Sequence, residues 1–186
     1  MNGRIPHIVQ YQGSKRMLAP QIMQYMPQRF KRLVEPFSGM AAISIAAASE
    51  NRAETYYIND LNAPIIGLLR NAINTPDELI EKYSDIWNEQ FSFPAGHLEH
   101  YYHVRNRYNE GEHSPEIMLY LLARCVKGAV RYGRNGNFNQ SPDKRRNGTN
   151  PQNVSKNVRQ ISAILKGSVL FSAVDYKMIF QSAEPG

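Results

Sequence analysis

Leu33-Val34-Glu35-Pro36-Phe37-Ser38-Gly39-Met40-Ala41-Ala42 is the stretch whose reading decides the fold. It opens on an apolar run, turns between Pro36 and Gly39, and passes into the small-residue run Ala41–Ala48, which is predicted to be helical. The pattern is a strand, a tight glycine-containing turn and a helix start. Glycine carries no Cβ and the first N–H groups of a helix are unpaired, so backbone in such a turn can approach a ligand closely. Downstream, Thr55-Tyr56-Tyr57-Ile58-Asn59 reads as a second strand with Asp60 at its end. An acidic residue at that position is where doubly wound folds hold a ribose hydroxyl. The local pattern fits a nucleoside-cofactor site; a packed turn in which Asp60 caps the next helix is the alternative.

The 186 residues are 42% hydrophobic, enough for one core with a smaller inserted lobe. No run of eighteen apolar residues occurs, so no membrane span is expected. The N-terminal Met1-Asn2-Gly3-Arg4-Ile5-Pro6 has no apolar core of a signal peptide. Cys125 is the only cysteine, which excludes an internal disulfide framework and suits a reducing cytoplasm. The net charge of +6 is unevenly placed. Between Arg124 and Arg159 stand nine Lys or Arg and one acid, Asp143, while the rest of the chain is slightly acidic. A basic stripe on such a body is the electrostatic footprint of a nucleic-acid contact.

Taken in order, Met17, Leu18, Ile22, Tyr25 and Met26 recur at helical spacing up to Pro27, with Ser14 as a candidate cap. Lys15 would fall in the first turn of that helix, the wrong sign for its dipole, and is either a solvated lysine or a group awaiting an acidic partner. Ala63–Ala72 reads as a helix with Pro64 in its first turn, and Thr75-Pro76-Asp77-Glu78 as the capped start of another. Two further helices follow, over Leu98–Tyr108 and Ile117–Cys125. His97, His100 and His103 share a helix face, but their spacing is not that of a zinc site, and an inter-helix or surface face is the better reading. From Lys127 the chain turns glycine- and asparagine-rich and reads as a hairpin around Gly133 and Gly136, with Tyr132 and Phe138 interleaved. Arg and Lys suit phosphates and guanine edges, Asn and Gln suit adenine edges. Candidate DNA contacts are therefore Lys127, Arg131, Tyr132, Arg134, Asn135, Asn137, Asn139, Lys144, Arg145 and Arg146. A last helix begins at Asn153 or Ser155, and the strand Val169-Leu170-Phe171 leads to Asp175 and Tyr176.

Three blocks in this order resemble the Dam-type (D12 class) DNA adenine-N6 methyltransferases. Tyr11-Gln12-Gly13-Ser14-Lys15 is similar to the family's aromatic-x-Gly-Gly-Lys block, with Ser14 in place of a glycine. Val34-Glu35-Pro36-Phe37-Ser38-Gly39 and Ile58-Asn59-Asp60-Leu61-Asn62 resemble its cofactor and acidic blocks. Arg131-Tyr132, Gly136 and Phe138-Asn139 resemble its target-recognition hairpin. The resemblance implies an α/β fold, a Rossmann-like methyltransferase sheet, incomplete in this chain, with a mainly helical target-recognition lobe that carries a β-hairpin. It implies three segments: 1–75 for cofactor binding, 76–166 for DNA, and 167–186 as a return strand. It also implies S-adenosylmethionine (SAM) as cofactor, held by Tyr11, Lys15, Glu35, Pro36, Phe37, Ser38, Gly39, Asp60, Leu61, Asp175 and Tyr176. In that set Asp60 accepts the ribose hydroxyls, Tyr11 and Lys15 close over the cofactor, and Asp175 and Tyr176 lie beside the adenine ring. Arg131 enters duplex DNA with the hairpin.

Two departures from the family stand out. The hairpin differs at Lys127, Ala129, Gly133 and Gln140-Ser141-Pro142-Asp143, so the target GATC is not carried over. The catalytic Asp-Pro-Pro-Tyr, expected a few residues beyond Glu184-Pro185-Gly186, occurs nowhere, nor does Asn-Pro-Pro-Tyr. The expectation is a cytoplasmic DNA adenine methyltransferase portion, inactive alone, with no catalytic residue and no metal of its own. Either a second polypeptide supplies the rest of the sheet or the chain is a fragment of a longer enzyme. A non-catalytic DNA-binding module retaining the fold is the alternative. A nicotinamide dehydrogenase would want a fuller Gly-x-Gly-x-x-Gly and leaves the basic stripe unexplained.

Overall fold

The structure, a computed structural model, describes residues 5–181. The first four residues, and 182–186 at the end of the expected return segment, lie outside the described residues. Strands β1 (Phe30–Glu35), β2 (Ala53–Asn59) and β3 (Val169–Ser172) form a parallel sheet in the order β1-β2-β3. Cross-strand register aligns Leu33, Tyr56 and Val169 in one row and Glu35, Ile58 and Phe171 in the next on the same face. Leu33, Tyr56 and Ile58 are buried there.

That face is covered by α2 (Ala42–Ser49), which connects β1 to β2, and by α3 (Ala63–Asn74), which follows β2. Ala42, Ile45, Ala46, Ala47 and Ala48 of α2 are all buried. Alanine favours helix, and its small side chain lets the sheet, α1 (Ala19–Gln24) and α7 (Pro151–Leu165) all close on α2. The apolar positions of α3, Ile65, Leu68, Leu69, Ala72 and Ile73, are fully buried. Each such Leu or Ile contributes roughly 1.5–3 kcal/mol.

Beyond α3 the chain builds a helical layer of α4 (Pro76–Glu89), α5 (Gly96–Asn109), α6 (Pro115–Arg124) and α7. Helix α6 is its axis: Ile117 to Leu122 are buried without a break, and α3, α4 and α5 pack around them. Helix α7 is amphipathic, with Val154, Val158, Ile161 and Leu165 turned onto α3 and α4. Its Ser162 hydroxyl donates to Ile73 O (2.7 Å), tying the two layers together. The short helix α8 (Tyr176–Gln181) follows β3.

Several local expectations are corrected. Helix α1 spans six residues only; Ser14 accepts from Arg16 N in a turn and is not its cap, and Met17 and Tyr25 are exposed. Pro20 in its first turn and Pro27 beyond it leave room for little more. Lys15 therefore precedes the helix and faces no dipole; its Nζ donates to Gly13 O (2.9 Å). Thr75 does not cap α4, because its hydroxyl faces back to Asn71 of α3. Helix α7 starts at Pro151, ahead of the expected point, because Asn150 supplies the cap (2.8 Å to Gln152 N). The hairpin closes through a single antiparallel bridge, Tyr132 to Phe138, rather than through two strands. His100 is buried between α5 and α6 against Tyr120 (2.8 Å), and burial lowers its pKa. Among the described residues no group of His, Cys, Asp and Glu is placed to hold a metal ion, and no helix is long and apolar enough to cross a membrane.

The opposite face of the sheet presents the row Val34, Tyr57 and Leu170, with Val34 40% and Leu170 57% exposed. Parallel sheets are ordinarily covered on both faces.

The capping contacts make a direct comparison. Asn150→Ala should lower the unfolding free energy by about 1 kcal/mol. Thr75→Ala should stay within about 0.5 kcal/mol of the parent. Urea unfolding of both variants measures the difference.

Candidate functional site

The parallel strands deliver three loops to one end of the sheet, after β1, β2 and β3. The buried side chain of Asn59, last residue of β2, joins them. Its Nδ2 donates to Pro36 O and to Val174 O, both at 3.0 Å. Its Oδ1 accepts from Ser172 Oγ (2.6 Å) and Val174 N (3.1 Å), and its backbone carbonyl accepts from Ser38 N (2.9 Å). Every polar atom of this amide is used.

Next to it Asp60 spans the first two loops. One carboxylate oxygen accepts from Gly39 N (2.8 Å) and the other from Asn62 N (2.9 Å). Asp60 does not cap α3; Asn62 does, through Ile65 N. Gly39 has φ +48°, and a Cβ there would stand 2.9 Å from Tyr11 Cε1. The Tyr11 ring thus lies against bare backbone. Burial first, then the nearby Asp60 and Tyr132, push the Tyr11 pKa up to about 12, so its hydroxyl stays protonated.

The Glu35 carboxylate bonds the first turn of α2. Its Oε2 accepts from Ser44 N (2.9 Å) and Ser44 Oγ (2.6 Å), and Oε1 from Ile43 N (3.3 Å). Helix α2 has no side-chain cap of its own, since Ala41 at its start is left-handed (φ 54°). Glu35 closes those helix N–H groups from below. Burial raises its pKa, opposed by the bonds from Ser44 and Ile43.

Pro36 and Ser38 shape the turn, Ser38 buried and Pro36 half-buried. Phe37 and Leu61 project, 68% and 73% exposed. The Phe37 ring meets Tyr176 at 5.0 Å, so the first and third loops share an aromatic surface. Asp175 is exposed and its carboxylate accepts from Lys177 N (2.9 Å). A cleft of about 360 Å³ opens beside the turn between Tyr11, Ser14, Met17, Met40 and Ile45. It lies on the Tyr11 side and does not reach Asp60 or Phe37, whose surface is open. The structure brings Tyr11, Gly39 and Asp60 together and sets Phe37 on Tyr176; Lys15 is exposed within its own loop.

The basic segment leans on the same place. Gly128 O accepts from Gln12 N (3.0 Å), and any Cβ at Gly128 (φ +59°) would run into Gln10 O at 2.0 Å. Tyr132 reaches Asn62 Oδ1 (3.4 Å). The hairpin is fixed to α5 by Asn109, whose side chain accepts from Phe138 N (2.8 Å) and donates to Phe138 O (3.1 Å), as a neighbouring strand would. Phe138 is buried, while all ten candidate DNA contacts are exposed. Several are partly engaged: Tyr132 with Asn62 and Tyr108, Asn135 Oδ1 as acceptor from Asn137 N, Arg145 with Asp143 (3.5 Å), and Arg146 with Asp143 (2.8 Å) and Gln10 (3.3 Å). Asn59 and Asn109 went unread as site residues; Asn59 stood in a quoted block, but nothing local marks either asparagine as a clamp.

The family described as D12 class N6 adenine-specific DNA methyltransferase matches residues 11–185. A type II methyltransferase of Lactococcus lactis subsp. cremoris is 27% identical over 94% of this chain and 60% of its own length. A type II methyltransferase of Methanocaldococcus jannaschii is 24% identical over 84% of this chain, again 60% of its own length. A DNA adenine methylase of Haemophilus influenzae is 28% identical over 70% of this chain and 44% of its own length. The chain thus spans 60% or less of the length of these relatives.

Removing the Asn59 amide leaves the carbonyls of Pro36 and Val174 without their donor. Asn59→Ala should cost about 2–4 kcal/mol of unfolding free energy, read by urea denaturation.

Proposed function

The chain belongs to the D12 class of N6 adenine-specific DNA methyltransferases, and from that premise we propose that it is the SAM-binding and target-recognition portion of a site-specific DNA adenine-N6 methyltransferase. The observation that carries this reading is the constellation of Tyr11, Gly39 and Asp60 at the carboxyl end of the parallel sheet, where open α/β sheets take their ligands.

The residues fit the cofactor. Gly39 leaves backbone bare, and each Asp60 oxygen keeps a lone pair beyond its bond to Gly39 or Asn62, free to accept ribose hydroxyls. Phe37, Leu61 and Tyr176 offer exposed apolar surface for an adenine ring, with Asp175 next to it. Tyr11 forms the opposite wall, Lys15 in the same exposed loop is assigned to close over the cofactor, Pro36 and Ser38 shape the turn, and Glu35 holds the start of α2. SAM, when bound, supplies a methyl group on a sulfonium. Transfer is an in-line displacement, so the contribution of this chain is alignment and exclusion of water.

Duplex DNA is the proposed partner of the basic face. Lys127, Arg134, Lys144, Arg145 and Arg146 suit phosphates, while Arg131, Asn135, Asn137 and Asn139 with Tyr132 sit on the hairpin that meets base edges. A flipped adenine needs a stacking and hydrogen-bonding pocket. The 186 residues contain no Asp-Pro-Pro-Tyr to form it, so that role falls to sequence outside these residues, in a longer form of the same enzyme or in a second polypeptide. Among the described residues, the open row of Val34, Tyr57 and Leu170 and the outer edge of β3 are where such further structure would pack. On this reading residues 1–75 hold SAM, 76–166 hold DNA and 167–186 return to the sheet, in a cytoplasmic, DNA-associated protein of bacterial or phage type. The second reading, a DNA-binding module without catalysis that retains the fold, predicts DNA affinity indifferent to SAM.

Two substitutions separate these assignments. Asp60→Ala should weaken SAM binding by about tenfold or more, the loss of a charge-assisted bond, and leave DNA affinity unchanged; calorimetry showing equal SAM affinity would remove Asp60 from the site. Arg131→Ala should weaken DNA binding and blur sequence preference, and a uniform loss across sequences would make it a phosphate contact.

A further inference from the structure

Arg124, the last residue of α6, is fully buried. Its guanidinium donates to three backbone carbonyls: His97 O (3.3 Å), Asp143 O (3.5 Å) and Arg146 O. Among the described residues no carboxylate pairs with it. A buried cation without an anion is costly unless its donors are used; Nε is left without a partner among the described residues, and of the three acceptors that hold the two terminal nitrogens, two belong to the loop 143–149. The same loop is held by two more buried side chains, Gln90 to Asn147 O (3.2 Å) and Tyr83 to Thr149 O. Asp143 N donates back to Arg124 O (2.8 Å). Gly148 (φ +84°) lies on the Arg124 stem, where a Cβ would come within 2.9 Å of Cδ.

The consequence is a loop with the carbonyls of Asp143, Arg146, Asn147 and Thr149 turned inward and the side chains of Lys144, Arg145, Arg146 and Asn147 outward. Lys144 is exposed and the Arg145 side chain is 89% exposed. The buried Asp143 carboxylate accepts from Arg145 N (3.0 Å) and binds the Arg146 guanidinium (2.8 Å), which holds its pKa below the usual range. Arg146 is thereby drawn toward Asp143 and Gln10; the Arg145 Nε also lies 3.5 Å from Asp143, but its side chain stays exposed, so Lys144 and Arg145 are the projecting cations of the loop.

We infer that Arg124 is a positioning residue for DNA binding: from inside the fold it presets the 143–149 loop as a rigid clamp whose Lys144 and Arg145 grip phosphates, separately from the hairpin that carries Arg131. The inference rests on the proposed reading that this face binds DNA. Arg124 is buried, so it touches no DNA itself, and its removal acts only through the cations it places.

The test is binding of the whole chain to labelled mixed-sequence duplex DNA across a salt series. Each phosphate contact contributes about 0.9 to the slope of log affinity against log salt. Arg124→Gln should flatten the slope by about two, the same loss as the double variant Lys144→Ala/Arg145→Ala. Added to that double variant, Arg124→Gln should change neither slope nor affinity; an additive loss, or an unchanged slope in the single variant, overturns the inference. Gly148→Ala displaces the loop without removing a charge and should reproduce the flattening, which covers the case in which Arg124→Gln does not fold. Hydrogen exchange on the unaltered chain reads the loop independently: the amides of Asp143, Arg145 and Arg146, each bonded in the structure, should be protected before DNA is added, and fast exchange there contradicts a preset clamp. If the unaltered chain binds no DNA while that protection is present, the DNA reading fails and the loop's construction stands.

Discussion

The buried amide of Asn59 is the interaction on which the rest of the site depends. A parallel sheet brings the loops after β1, β2 and β3 to one end but does not by itself fix their relative positions. Asn59 does so by donating to the loops on both sides and accepting from the third strand. An asparagine suits this place because it offers donors and acceptors in one planar group, and a neighbouring carboxylate or aliphatic side chain of the same size offers only one kind or none. With the loops fixed, Asp60 can hold Gly39 N, Gly39 can lie under Tyr11, and Phe37 can meet Tyr176.

The basic segment is built onto this platform rather than beside it. Its base is sealed by Gly128 on the backbone of Gln10 and Gln12, one residue either side of Tyr11. Its tip returns through Tyr132 to Asn62, which also caps α3 two residues after Asp60. The hairpin and the loop after β2 thus share a contact at Asn62.

Much of this was legible in the sequence, for physical reasons that can be named. The strand-turn-helix around Gly39 and the second strand ending at Asp60 follow from local pattern, because apolar runs, a turn and an alanine run each bias a few consecutive residues. The long amphipathic helices were equally readable from their apolar spacing. What escaped depends on partners distant in the chain. The contact of the Glu35 carboxylate with the start of α2, which Ala41 leaves without a side-chain cap, is one such feature. Arg124 reads as one more surface cation in a basic stripe and is instead buried under the loop that follows it. The apolar spacing from Met17 to Met26 overstated α1, since periodicity marks a face without saying whether anything covers it.

The central claim is that three loops, brought together by Asn59, form one SAM site. Hydrogen exchange of the purified chain with and without SAM tests it most directly. The account predicts slowed exchange at Phe37–Ala41, at Asp60–Asn62 and at Val174–Tyr176 together, saturating with SAM. Protection confined to other segments, or no change in a folded chain at saturating SAM, would contradict it.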